Sequence, residues 1–137
     1  MSVTPTTPEA EVCMRWFEAN LAGDVDTIVG LFADDIEFIL PGTEVVPWAG
    51  TWRGLPEIDR LFGIIGQTLD IRSLEPTHLV ASGENVVLIG NEHSVIKATG
   101  TDLHQRFAWL FTVRGGKIAR WEGFEDTEGI VFGCTGA

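Results

Sequence analysis

The chain has 137 residues, 45% hydrophobic and 21% charged, with a net charge of −11. That length makes one domain, large enough to bury a core without staples, and the nine scattered Lys and Arg argue against a nucleic-acid surface. No apolar run approaches the ~20 residues that cross a bilayer, and the opening MSVTPTTPEAE lacks the basic and apolar regions of a secretory signal.

Residues 1–8 are expected to be a flexible tail. Pro8 and the acids Glu9 and Glu11 then suit the first turn of a helix, where the dipole is positive. Val12, Trp16, Phe17 and Leu21 follow at helical spacing and Gly23 ends the run. Asp24 is the cap of a second helix with Val25, Ile28, Val29 and Phe32 as its buried stripe, closed by Ala33, Asp34 and Asp35. Residues 36–40 read as a short strand stopped by Pro41 and Gly42. The loop 43–52 carries Trp48 and Trp52, with a short strand at 51–53. A third helix opens at Gly54, with Ile58, Leu61, Phe62, Ile65 and Leu69 along one face.

Residues 70–81 are extended, and Gly83 turns the chain into a meander predicted at 85–99, 101–113 and 117–126, broken at Gly100 and at Arg114-Gly115-Gly116. Asp126 and Thr127 suit a terminal cap, and 131–137 are expected to be a tail. Helices come first and strands last, which argues for an α+β fold with helices on one face of a curved sheet. The two cysteines, Cys13 and Cys134, lie near opposite ends and are expected to be thiols in a cytoplasmic chain. No Cys/His spacing matches a zinc site, so no metal is expected.

Three stretches carry a family resemblance. Residues 23–35, GDVDTIVGLFADD, look like the opening of the NTF2-like superfamily, which includes ketosteroid isomerase and the SnoaL-like polyketide cyclases. Residues 49–54, AGTWRG, before a helix, are similar to a second signature, and 115–122, GGKIARWE, resemble the last hairpin. The resemblance spans 9–130. It implies a cone in which three N-terminal helices pack on a strongly curved antiparallel or mixed sheet, a pocket for a small apolar molecule, and a homodimer through the convex sheet face.

The familiar catalytic groups do not carry over. On the resemblance, the isomerase tyrosine falls on Trp16, its base on Leu40 and its oxyanion-hole aspartate on Trp109, none of which moves a proton. The limonene-epoxide hydrolase pattern fails as well: its Tyr and Asn fall on Phe38 and about Leu40, its arginine on His93 and its second aspartate on Gly123.

Side chains alternate along a strand, so a parity must be chosen. A three-residue loop at 114–116 keeps odd positions on one face across the turn, whereas a two-residue Gly-Gly loop brings Arg120, Glu122, Phe124 and Asp126 inward. The family alignment favours the odd set. The inner face is then Val87, Ile89, Asn91, His93 and Val95, continuing through Gln105, Phe107, Trp109, Phe111, Trp121, Gly123 and Glu125, with Glu92 outside.

His93 and Glu125 become the candidate acid–base groups. The ligand wall is expected from Trp16, Phe38, Trp48, Trp52, Asn91, Gln105, Phe107, Trp109 and Trp121, a few polar groups in an apolar site. The functional expectation is a SnoaL-like isomerase, cyclase, dehydratase or hydrolase working without cofactor. A non-catalytic binder of a small hydrophobic ligand and a dimerisation module are the alternatives. A filled, inaccessible interior would favour the module.

Overall fold

The computed structural model describes residues 3–136. The element order is α1 (Pro8–Ala22), α2 (Val25–Leu31), β1 (Phe32–Leu40), β2 (Gly50–Arg53), α3 (Gly54–Thr68), β3 (Leu69–Ser82), β4 (Asn85–Ile96), β5 (Thr101–Arg114), β6 (Lys117–Phe124) and α4 (Thr127–Thr135). The tail expected at 1–8 lies partly outside the described residues; within them Val3 packs on the core.

Local chemistry sets the helix ends. Thr7 accepts a hydrogen bond from the Ala10 N–H at 3.1 Å and Pro8 occupies the first turn of α1. Gly23 closes α1 in the left-handed region at φ 67°, donating its N–H back to the last turn. Asp24 then caps α2, accepting from the Thr27 hydroxyl at 2.6 Å and from the Thr27 N–H at 3.2 Å, and these bonds to the charged form, the hydroxyl's first, hold its carboxyl below the usual range.

The six strands form one mixed sheet in the order β2-β1-β6-β5-β4-β3, with β1 and β6 parallel and the other neighbours antiparallel. This curved α+β arrangement wraps α1 and α3. Its core is aromatic: Trp16 of α1 sits amid Phe32, Phe38, Trp109, Phe111 and Trp121 with ring centroids 5.4–6.3 Å away. Among the described residues no helix is long and apolar enough to cross a membrane. Cys13 and Cys134 are free, and burial pushes the Cys13 thiol up to about 12.

Four expectations change. β1 starts at Phe32, directly after α2, because Phe32 pairs with Ile118 of β6 and a bulge separates that pair from Glu37–Arg120. Leu69 leaves the α3 face and begins β3. β4 stops at Ile96, and residues 97–100 form a four-residue turn joining the pair Ile96–Thr101. The C-terminal tail expected at 131–137 is instead α4 as far as Thr135; Ala137 lies outside the described residues.

The length of the β4–β5 turn reverses a face. With Ile96 opposite Thr101, even positions of β4 stand beside odd positions of β5. Val86, Leu88, Gly90, Glu92, Ser94 and Ile96 therefore point inward, and Asn91 and His93 point outward. At the next turn Arg114 pairs with Lys117, so the loop is the two-residue Gly115-Gly116, both at positive φ. Ala119 is the extra residue of a bulge between the pairs Val113–Ile118 and Thr112–Arg120. It restores Trp121, Gly123 and Glu125 to the inner side.

Candidate functional site

The concave side of the sheet, α1, α3 and α4 enclose a cavity of about 440 Å³, within the range typical of small-molecule sites. Its aromatic wall is Trp16, Phe38, Trp48, Phe62, Trp109 and Trp121; aliphatic residues including Leu40, Leu69, Leu74 and Ile130 complete it. The rings brace one another. Phe38 lies flat on Trp121 with centroids 4.1 Å apart, and Phe107 is stacked behind Trp109 at 3.9 Å.

Against this wall stand two amides, Asn20 and Gln105, and two carboxyls, Glu92 and Glu125; no Lys, Arg or His lines the cavity among the described residues. Glu125, just beyond β6, accepts a hydrogen bond from the Trp109 indole N–H at 3.0 Å. Burial, and then the charge of Glu92, raise its pKa to about 7, with the Trp109 bond pulling the other way. Glu92 is buried on β4. It accepts from the Ser94 hydroxyl through one oxygen and from the Gln105 amide at 3.2 Å through the other. Burial raises its pKa too, and those two bonds partly offset the rise.

The Gln105 oxygen in turn accepts from the Asp126 N–H at 2.9 Å, tying this polar chain to the start of α4. The indole N–H groups of Trp16 and Trp121 are buried without an acceptor among the described protein atoms.

Several residues expected at the site are here: Trp16, Phe38, Trp48, Gln105, Trp109, Trp121 and Glu125 all line the cavity. Phe107 is fully buried and backs the wall through Trp109. Trp52 is off the wall; its indole donates to the Trp48 carbonyl at 3.0 Å and the Arg60 guanidinium lies 5.3 Å from its ring centre. Asn91 is exposed on the convex face, accepting from Arg106 at 2.9 Å. His93 shares that face, where its ring stacks on His104 and meets Asp102. A side chain on the convex face cannot reach a ligand on the concave one, so His93 is not placed to act with Glu125.

Glu92 is the polar group that alternation does not find. Both parities of β4 carry apolar residues, so the pattern alone does not choose between them. The readable signal is the turn: Lys97-Ala98-Thr99-Gly100 as a four-residue loop puts Glu92 and Ser94 inside.

A family model described as the SnoaL-like domain matches residues 14–121. An uncharacterised protein of Mycobacterium tuberculosis is 28% identical over 116 residues, 85% of this chain and 87% of that protein. Among solved structures, an NTF2-like protein from Burkholderia xenovorans superposes with a TM-score of 0.87 at 27% identity, covering 97% of this chain and all of that one. TerC, co-crystallised with polyporic acid, has a TM-score of 0.81 at 22% identity, covering 93% of this chain and 98% of its own.

Proposed function

From the premise that the chain belongs to the SnoaL-like domain family, a family that includes polyketide cyclases and isomerases, we propose an acid–base enzyme for a small, largely apolar molecule. Glu125 is the group that moves the proton. One observation carries this reading: a carboxyl among indoles, held by Trp109, with its pKa lifted to about 7. Near neutral pH such a group is present in both forms, and general acid–base catalysis is most effective there.

Neutral Glu125 can protonate a carbonyl or hydroxyl oxygen of the ligand, and ionised Glu125 can remove a proton from carbon or from water. Glu92 sets the poise, because its charge disfavours a second charge on Glu125. The Trp109 N–H occupies one Glu125 oxygen, which leaves the other for the ligand. Two carboxyls and, among the described residues, no cation on the wall disfavour phosphates and other polyanions.

Indole fluorescence can be followed while apolar ketones, quinones including polyporic acid, polyketides and terpenoid epoxides are titrated, since four Trp residues line the cavity. The class that quenches saturably is then assayed for turnover. Glu125→Gln is expected to keep binding and lose ~100-fold or more in kcat, while His93→Ala keeps both. Full turnover by Glu125→Gln would remove the mechanism. Saturable binding with no conversion across the quenching class would make the domain a binder.

A further inference from the structure

The residue singled out in the sequence as a catalytic base lies outside the cavity, in company that gives it another use. His93 and His104 are direct cross-strand partners on β4 and β5, with ring centroids 4.1 Å apart and planes 11° from parallel. Asp102 pairs with Val95, one same-face step from both histidines, and its Oδ1 lies 2.8 Å from His93 Nε2. One nitrogen from each imidazole and one Asp102 oxygen all fall within 4.8 Å of one another. We propose that His93, His104 and Asp102 form a divalent transition-metal site on the convex face, of the Zn2+ class.

The donor set selects the ion. Two imidazoles and one carboxylate suit Zn2+ and its first-row neighbours, whereas Ca2+ and Mg2+ need shells of oxygen. Three protein ligands leave a fourth position for water or an outside group. The backbone is already in place, because all three side chains rise from adjacent paired strands. Drawing them to bonds of ~2.0–2.2 Å requires only side-chain rotation, and the side chains of His93 and Asp102 are 33% and 62% exposed. An exposed aspartate is ionised at neutral pH, so Asp102 is a ready anionic ligand. The nearby Arg72 guanidinium is paired with Asp70 at 2.8 Å. The chain's net charge of −11 draws cations to its surface. Beside the cluster a shallow groove lined by Ser73, Glu75, Asn91 and Arg106 leaves room for a molecule on the open coordination position.

Tag-free full-length protein is titrated with Zn2+ by calorimetry and with Co2+ by visible absorption, which reports ligand number and geometry. Wild type should bind one ion per chain with the spectrum of nitrogen–oxygen coordination. His104→Ala and Asp102→Asn should each weaken binding by at least ~10-fold, with circular dichroism unchanged. His78→Ala and Cys134→Ser, which alter other potential ligands, should leave it intact. No saturable binding, or equal affinity in His104→Ala, would overturn the site. Loss of binding in Cys134→Ser alone would reassign the metal to that thiol and overturn it as well.

Discussion

Glu125 ties cavity chemistry to stability. Its pKa is raised from 4.5 to about 7, chiefly by burial, so the folded chain keeps this proton over a range where the unfolded chain has released it. More protons on the folded state mean that stability falls as pH rises through that window. Each tenfold gain in proton affinity is worth about 1.4 kcal/mol, which makes Glu125 alone worth on the order of 3 kcal/mol. Glu92, also raised, adds a share of the same sign. Asp24 and Asp102 are lowered and act in the opposite sense, under more acidic conditions. Urea unfolding at pH 5 and pH 8 should therefore show wild type less stable at the higher pH, with Glu125→Gln losing a large part of that difference. An identical pH dependence in the two proteins would mean that the carboxyl is not held neutral by its surroundings.

At the scale of elements, one glycine shows how tightly the sheet is drawn around the site. Gly90 of β4 faces inward, and a Cβ there would meet the Glu75 carbonyl oxygen of β3 and come 2.7 Å from Phe107 Cζ. The β3–β4 ladder is locally irregular between Pro76 and His78, next to the Pro76–Gly90 pair. A backbone oxygen cannot swing aside, and Phe107 is stacked on Trp109. Gly90→Ala should cost ~1–3 kcal/mol and speed amide exchange in β3 more than in β6; a melting temperature equal to wild type would contradict this packing.

The same elements show what a sequence can and cannot reveal. Helix ends written in local chemistry, at Pro8, Gly23 and Asp24, were legible. So were the aromatics of β5 and β6 that build the cavity wall. The β4 face was not, because both its parities are apolar and one turn length decides between Glu92 and His93. Helix α4 was hidden for another reason. Its sequence, TEGIVFGCT, holds two glycines and β-branched residues and has poor intrinsic helicity. Its cap alone was legible, Asp126 accepting from the Gly129 N–H at 3.0 Å; tertiary contacts supply the rest, for Ile130 is fully buried and Gly133 lies against Ile96 with its carbonyl accepting from the Thr99 hydroxyl.

For the molecule as a whole, the convex sheet face poses a question of partnership. Val80, Val87 and Leu110 line up across β3, β4 and β5, and Ile89, Ala108 and Phe124 line up across β4, β5 and β6. Val80 and Phe124 are 57% and 53% exposed, so an apolar stripe crosses the outer face, bordered by Arg106, Arg120 and Glu122. We propose that a second copy of the chain covers it, since a two-fold axis lets one stripe meet itself. The acidic net charge opposes this pairing, so added salt should strengthen it. Light scattering should give the mass of two chains for wild type and of one for Leu110→Arg, with the fold retained because Leu110 points away from the core. A wild-type monomer at every salt concentration would refute the pairing. The His93–His104 pair lies four residues along the strands from Ile89–Ala108, roughly 14 Å at ~3.4 Å per residue. Leu110→Arg should therefore abolish the dimer without changing Zn2+ affinity, which makes the two uses of this face separable by a single variant.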